Sequence, residues 1–497
     1  MYIEKVLVPG LHELLVDNSH KYKNIFLVGG SVRDALLGVP SMDVDFVVTQ
    51  GAPQLAKTVA DFFHGAYYIL DHARNTGRAI IFHQNNRFII DFAQLRGNSI
   101  EEDLAARDFT INAMAIDLAE PRSIIDPLGA QIDLRNQVLR PCRPDAFLQD
   151  PIRTLRAVRF IYSYQLSYEI STADLITRSA PYIQNSSPER IRDELFHIFE
   201  NTDIKSSLDL LKEFGLFNVL FPELTPLATI HPGTPHQHHV LGHTFRVMEN
   251  VQVLYKVFTE GYYPDDNLFI RMALQELERF KLHLLDYVHD QINAQRTKLG
   301  LLLLAAMYHD SGKADSERNI PGESAPDRSL HADASAKLFM RVASKLALSN
   351  AEVDFVHRLI KYHMREELKT TAQDSDYAKQ IYTYFKNTGS AGVLIVLMHL
   401  ADLISTYEKE LSVERWQIAL SSAGRLLDGW FEKYAQWVNP PLLVNGNDLI
   451  DTFNLAPGKE IGDILERIRL AQVCNEVVDR SNALKFAEEY LKGDQNS

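Results

Sequence analysis

The segments of this chain that read as strands, Asn24–Val28, Val44–Val48, Ala79–Phe82 and Phe88–Phe92, all lie before residue 93. After about Asn136 the apolar residues recur at the three- and four-residue spacing of helices. Sheet is thereby confined to a head, and the remainder is expected to be almost wholly helical. The fold class expected is α+β, a small head with a mixed sheet followed by all-α regions. A length of 497 residues sets a prior of about three domains. Pro- and Gly-bearing loops at Ile230–Pro235, Arg318–Pro326 and Asn439–Pro441 punctuate the helical part. The segments expected are 1–135, 136–228, 229–410 and 411–497, with no repeat at solenoid spacing and only the tail from Lys492 prone to fray.

Composition narrows the function classes. An apolar share of 46% with 23% charged residues excludes disordered, collagen-like and coiled-coil chains. A formal charge of -14 argues against a uniformly basic nucleic-acid coat or a membrane-surface protein, so any polyanion must meet a local basic patch. Cys142 and Cys474 cannot form a disulfide framework or a Cys-rich zinc site; they fit a reducing compartment, and a cytoplasmic location is expected. The first ten residues do not read as a signal peptide. The apolar stretches 300–307 and 392–398 are too short to span a bilayer and read as buried helix, so no membrane partner is expected.

The chemistry of the head is carried by two motifs. Gly29-Gly30, after an apolar strand and before a helical stretch, is either a plain tight turn or a place where backbone amides face a phosphate. Thirteen residues beyond Gly30, Asp43-Val44-Asp45 lies on the next strand, where alternation points both carboxylates to one face. Two adjacent carboxylates repel, and outside a salt-bridge network they need a cation. Two oxygen-ligated Mg²⁺ ions are what nucleotidyl transfer requires.

The form Gly29-Gly30-Ser31-Val32-Arg33-Asp34 with Asp43-Val44-Asp45 resembles the DNA polymerase beta superfamily, in its class II branch of tRNA nucleotidyltransferases and bacterial poly(A) polymerases. Arg107-Asp108-Phe109-Thr110-Ile111-Asn112-Ala113 is similar to that family's second motif and Ile125–Gly129 with Asp133-Leu134 to its third. Asp150-Pro151-Ile152-Arg153-Thr154-Leu155-Arg156 looks like the fourth, and Glu189–Leu195 like the fifth. The resemblance implies a polymerase-beta-like head in which Asp43 and Asp45 are catalytic and hold two Mg²⁺ ions. Gly29, Gly30 and Arg33 would serve the triphosphate, and Arg107, Asp108 and Asn112 the nucleotide's phosphate and sugar. The base would be read by Asp150 and Arg153, with Arg156 and Arg159 on the same helix. Two departures are Gln149 before Asp150, where the family has Glu, and Ala106 before Arg107, where it has Arg.

On residue chemistry alone, a helix is expected from Pro151, a good first-turn residue, with Asp150 as its N-cap and Arg153, Arg156 and Phe160 on one face. A carboxylate beside a guanidinium offers an acceptor and donors to a base edge; the alternative is a cap and surface charges. Asp91 is either a third metal-side carboxylate or an edge-strand residue. The neck carries Arg135, Arg140, Arg143, Arg153, Arg156 and Arg159 between Asp133 and Phe160, against three aspartates; this is the expected basic patch, with Arg135, Arg140 and Arg143 as RNA contacts. Only fifteen residues separate Asp91 from Arg107. Complete CCA-adding relatives carry a longer flexible loop there, so the short one resembles enzymes that add CC alone.

The second half contains His243, His309-Asp310 and Asp402 in that order. Asp310, closing an apolar helix, is a poor choice for burial without a cation or hydrogen-bond partners. The set resembles the HD phosphohydrolase superfamily, which implies a divalent Mn, Ni, Co, Fe, Zn or Mg ion on His243, His309, Asp310 and Asp402. His331 and His363 are candidates for a second ion, and His357 is a further imidazole nearby in sequence. His236, His238 and His239 read as loop histidines, with His239 an alternative to His243 if the helix begins early. Residues 411–497 carry no interpretable constellation, and packing or cradling tRNA is their expected role.

The resemblance therefore implies a tRNA nucleotidyltransferase using CTP and ATP, adding CCA or only CC, with a helical phosphohydrolase domain, as monomer or homodimer. The alternatives are a poly(A) polymerase or A-adding enzyme and, from another class, a phosphohydrolase with an RNA-binding head.

Overall fold

The computed structural model of the protein describes residues 6–84, 86–235, 237–260, 267–293, 296–316, 329–364 and 374–494. His236, the loop 318–326 and the tail 495–497 lie outside the described residues. The chain forms two compact units, Met1–Asp203 with Asp209–Leu220, and Ile204–Leu208 with Phe221–Ser497. The cuts at 135 and 410 fall inside these units, and the one at 228 close to the junction at Leu220.

The first unit contains a six-stranded sheet. Its strands are β1 (Ile25–Val28), β2 (Asp43–Val48), β3 (Ala66–Asp71), β4 (Thr76–His83), β5 (Asn86–Gln94) and β6 (Ala115–Asp117), in the order β3-β4-β5-β2-β1-β6. Only β2 and β5 run parallel, so the sheet is mixed, as expected. Helices α1 (Gly30–Leu37) and α2 (Ala52–Phe62) follow β1 and β2.

The period of two along β2 decides what each face holds. Val44, Phe46 and Val48 turn into a core with Leu55 and Val59 of α2, where Phe46 stacks on Phe92 of β5 with centroids 5.1 Å apart. Val47 turns the other way, into a smaller core with Phe26, Val28 and Leu104. Asp43 and Asp45 share that second face. Phe46 and Phe92 thus anchor the strand pair that carries the carboxylates. Phe46→Ala is expected to cost about 3–5 kcal/mol in denaturant unfolding of the full chain.

After Asn136 the described elements are helices, apart from two-stranded pairs of two or three residues each. In the first unit the helices that matter for the site are α3 (Ile100–Ala105), α4 (Arg153–Ser163) and α5 (Pro188–Asn201). In the second they are α6 (Val240–Glu260), α7 (Lys298–Tyr308), α8 (Ser329–Val342), α9 (Asn350–Tyr362) and α10 (Gly392–Tyr407). All eleven residues of α7 are buried. The stretches 300–307 and 392–398 are buried helix, as read from sequence. The second, however, belongs to a helical run from Asp376 to Glu410 that is long and apolar enough to cross a membrane, which the short apolar stretch did not suggest. Its most apolar window is 78% buried inside the fold, as in a core helix.

Candidate functional site

In the head, the turn from β1 into α1 admits only glycine at its first position. Gly29 has φ 72°, its N–H donates to the Met114 carbonyl at 3.1 Å, and a Cβ there would lie 2.6 Å from Arg107 Nη1. Ser31 ties this helix start to β2: its hydroxyl accepts from the Asp45 N–H at 3.1 Å and donates to the Asp43 carbonyl at 3.4 Å. The sequence reading gave Ser31 no role, although its place between the glycines and the arginine is the signal for one.

Asp43 and Asp45 share a face with Val44 buried opposite. Asp91 is not on an edge strand: β5 lies between β4 and β2, and Asp91 stands in register with Asp45. The parallel pairing, which no local pattern shows, brings the third carboxylate to the other two. Arg78 on β4 holds Asp91 through Nε at 2.6 Å and Nη2 at 2.7 Å. Asp45 is itself exposed, on the side of a cavity. Desolvation by the surrounding protein pushes its carboxyl up to about 6; Arg107 opposes the rise, and Asp91 and Asp43 add to it.

The cavity has a volume of about 290 Å³ and is walled by Asp45, Asp91, Arg107, Asp108, Arg153 and Arg156 among others. Asp108 accepts from Arg156 Nε at 2.9 Å and Nη2 at 2.7 Å, from Asn112 Nδ2 at 3.1 Å and from the Phe109 N–H at 2.8 Å. Burial alone would raise its carboxyl; Arg156 and these donors hold it below the ordinary range. Arg33, Asn112 and Arg159 do not line the cavity. Arg33 is 5% exposed, donates to Asp34 at 2.9 Å and Asn112 at 2.5 Å, and lies 4.3 Å over the Tyr164 ring. Arg159 pairs with Glu194 at 2.7 Å, and Arg156 reaches the same carboxylate at 3.2 Å.

Asp150 is not the cap expected. Pro151 and Ile152 form a turn, α4 begins at Arg153, and the N-cap residue Ile152 makes no side-chain capping bond. With an extended backbone, Asp150 directs both oxygens to Arg190 on α5, at 2.9 and 2.8 Å. Arg153 donates to the carbonyls of Ala106 at 2.8 Å and Arg107 at 3.1 Å. Arg190 and Glu194, four residues apart on α5, are the partners that sequence reasoning left without roles; that spacing was the available signal.

The basic neck is more neutralised than its own sequence suggests. Arg140 meets Asp133 at 3.4 Å and Glu169 at 3.2 Å, Arg143 meets Asp145 at 3.1 Å, and Arg135 donates to the Gln131 carbonyl. Glu169, Glu194 and Asp108 all come from outside the arginine-rich segment. The positive surface that remains is a cavity of about 1490 Å³ lined by Arg74, Arg96, Arg143, Arg153 and Arg190 against Asp145 and Asp150. It shares Arg96, Asp150, Arg153 and Arg190 with the carboxylate cavity. Arg74 and Arg96 belong to the head, not the neck. The fifteen residues before Arg107 hold little free loop, because Ser99 caps α3.

In the second unit, the histidine and aspartate cluster assembles from four helices and the turn after a fifth. His243 lies on α6, His309 and Asp310 follow α7, His331 lies on α8, His363 closes α9, and Asp402 lies on α10. His243 Nε2 is 2.9 Å from Asp402, and Asp310 has His331 at 3.3 Å, His309 at 3.4 Å, His243 at 3.6 Å and His363 at 3.9 Å. His243, His309 and Asp310 form one potential metal triad, and Asp310, His331 and His363 another. His309 and His363 direct Nδ1 at the carbonyls of Ala306 and Ile360, both at 2.7 Å, which leaves each Nε2 facing the cluster. Those two Nε2 atoms and that of His331 are buried without a hydrogen-bond partner. Burial pushes His363 down to about 3 and also lowers His331, so both are neutral at pH 7. Burial disfavours a charged Asp402, yet its hydrogen bond with His243 holds the carboxyl below the ordinary range. The buried Nε2 atoms of His309, His331 and His363 around two carboxylates fit a divalent transition metal. His357 is not among these groups. His239 is not a ligand either: its Nδ1 accepts from the Gly242 N–H at 2.9 Å at the start of α6.

Residues 25–140 match the "Poly A polymerase head domain" model and 166–227 the "Probable RNA and SrmB- binding site of polymerase A" model. Residues 438–487, which carried no interpretable motif, match a tRNA nucleotidyltransferase domain 2 model. An A-adding tRNA nucleotidyltransferase of Deinococcus radiodurans is 28% identical over 474 residues, covering 94% of this chain and 95% of the relative. A CC-adding enzyme of Synechocystis is 26% identical over 94% of this chain and 93% of its own. One of Geobacter sulfurreducens is 41% identical over 175 residues, 35% of this chain and 40% of the relative. A solved CCA-adding enzyme with CTP shares the fold, with a TM-score of 0.60 at 22% identity over 99% of this chain and 97% of that one.

Proposed function

We propose that this chain, which belongs to the tRNA nucleotidyltransferase and poly(A) polymerase family, extends the 3′ end of tRNA from CTP or ATP without a nucleic-acid template. The observation that carries the reading is Asp45 in register with Asp91 on adjacent strands at the floor of a cavity that arginines close, with Asp43 two residues away on the same face of β2. Three carboxylates with one pushed up to about 6 fit hard divalent cations such as Mg²⁺. Bound there, such ions would activate the attacking hydroxyl and offset charge on the leaving phosphate. Arg107 faces the same cavity for the triphosphate. Asp108, with Asn112 and Arg33 behind it, holds the sugar side, and Asp150 with Arg153 presents acceptor and donors to the base. Gly29 and Gly30 shape the turn beneath. Arg143, joined by Arg74 and Arg96 in the larger cavity, takes the RNA backbone, with Arg135 and Arg140 further along the neck.

Addition of CC alone is supported by the short, capped connection into α3. Relatives named for A addition and for CC addition keep both reactions within the reading. The test offers transcripts ending before C74, after C75 and complete, with CTP and ATP separately and together. Arrest after two cytidines supports CC addition, a single A on the penultimate species supports A addition, and long ATP-only tails overturn the tRNA reading. Incorporation by Asp43→Ala protein would overturn the assignment of the head.

We also read the second unit as a metal-dependent phosphohydrolase. His243, His309, Asp310 and Asp402 would hold one divalent ion, and His331 and His363 with Asp310 a second; bound metal would supply an activated water. Asp310→Ala is expected to abolish hydrolysis of 2′,3′-cyclic phosphate or 2′-phosphate ends and to remove about two bound Mn²⁺ per chain by elemental analysis. Neither Cys142 nor Cys474 is in a disulfide, in keeping with the cytoplasm.

A further inference from the structure

We propose that Arg78 is a positioning residue that holds Asp91 off the metal ions of the head, so that Asp43 and Asp45 take the ions while Asp91 acts on them from the side. This rests on, and narrows, the reading of the head as a metal-dependent nucleotidyltransferase site.

Strand register places the residues concerned in one row. Tyr68 on β3 stands opposite Arg78 on β4, Arg78 opposite Asp91 on β5, and Asp91 opposite Asp45 on β2. All four share a face, because their chain neighbours Tyr67, Ala79, Ile90 and Phe46 pack into the core on the other. The row therefore runs from an exposed tyrosine at the sheet edge to the floor of the nucleotide cavity.

Within the row Asp91 is already matched. Arg78 donates from Nε to Asp91 Oδ1 at 2.6 Å and from Nη2 to Asp91 Oδ2 at 2.7 Å, so both carboxylate oxygens are engaged. This two-point fork is the strong form of the pair, and its side chains are only 29% and 22% exposed, which limits screening by water. Among the described residues, Asp91 is the one member of the three head carboxylates with an ion pair. A cation that sought Asp91 would meet a fixed positive charge at hydrogen-bond distance from the same two oxygens. Asp43 and Asp45 present no such obstacle.

Arg78 does not itself wall the cavity, whereas Asp45 and Asp91 do. Its effect on a bound ion is therefore exerted through Asp91. Neighbouring strands lie about 4.8 Å apart, close enough for the charge on Asp91 to bear on an ion held by Asp45. With Arg78 in place that ion faces a matched pair; without it, the ion faces a bare carboxylate.

The test uses full-length protein carrying Asp310→Ala, which removes the second unit as a competing Mn²⁺ site, and reads Mn²⁺ affinity by electron paramagnetic resonance. Arg78→Met is expected to tighten binding about tenfold, because it leaves a bare carboxylate beside Asp45; Asp91→Asn is expected to weaken it about tenfold, because it leaves a bare guanidinium. Combining the two removes a matched pair and should return affinity to within about threefold of the parent. Arg78→Lys, which keeps the charge, should stay near the parent. In otherwise wild-type protein, Arg78→Met should also lower the Mg²⁺ concentration that gives half-maximal CTP incorporation. Unchanged Mn²⁺ affinity in Arg78→Met would make the pair a sheet contact only and overturn the proposal. A double variant that binds Mn²⁺ about tenfold more weakly than the parent would show Asp91 to be a direct ligand and overturn it too. Either result leaves the nucleotidyltransferase reading standing. If the parent binds no Mn²⁺ that Asp45→Ala removes, that reading fails and the proposal with it.

Discussion

Asp45→Asn is expected to lower nucleotide incorporation on the order of a thousandfold or more, and at the same time to raise the melting temperature of the metal-free protein. Both effects have one cause. Asp45 sits with Asp43 and Asp91 where burial pushes its carboxyl to about 6, so the ionised form that a metal needs is a strained form of the empty site. A carboxyl raised in the folded state favours folding while it is protonated. That contribution is present below the ordinary carboxylate value of about 4 and is lost as pH rises through about 6. At neutral pH the metal-free wild type therefore carries the cost of a desolvated charge, with repulsion from Asp91 and Asp43 added to it, and asparagine removes it. Incorporation by the wild type should fall as pH drops through about 6, and raising Mg²⁺ should move that limb to lower pH. A pH profile that ignores Mg²⁺ concentration, or an Asp45→Asn protein that melts lower than wild type at pH 8 without metal, would contradict this account of the site.

The second large effect is expected from Arg156→Ala, at about 3–5 kcal/mol of stability in denaturant unfolding. Arg156 is the partner of two carboxylates, Asp108 and Glu194, whose side chains are 10% and 11% exposed. Removing it leaves Asp108 with no paired cation among the described residues and only the Asn112 and Phe109 donors, while Glu194 keeps Arg159. The cost should shrink markedly when Asp108→Asn is combined with it, because the asparagine no longer brings a charge that needs the guanidinium; a double-mutant cycle reads this coupling. Strict additivity of the two changes would show that the pair contributes little. Arg159→Ala, which leaves Arg156 on Glu194, should cost less than Arg156→Ala.

Strands β1, β2, β4 and β5 were legible because they are apolar, β-branched runs. Strand β3 was not read because it is an edge strand whose Tyr68, Ile69 and Leu70 are exposed, and β6 because it has only three residues. The carboxylate pair on β2 was legible from alternation alone. The histidine cluster was legible as a resemblance in order. That His331 and His363, the candidates for a second ion, both face Asp310 was not, because it depends on which side of α8 and α9 meets α7.

What the sequence determined by itself is local: a glycine where φ must be positive, Asp43 and Asp45 on one face of a strand, a head that contains the sheet, and apolar helices that must be buried. What only the tertiary structure decided is pairing across the chain. It set Asp91 beside Asp45 through a parallel strand pair, took Asp150 from a helix cap to Arg190, and gave the neck arginines carboxylates from Asp108, Glu169 and Glu194. It also moved the positive surface to a cavity shared with Arg74 and Arg96 of the head. The physical reason is that a charge is stabilised by its nearest opposite charge in space, and in a folded chain that neighbour need not be near in sequence.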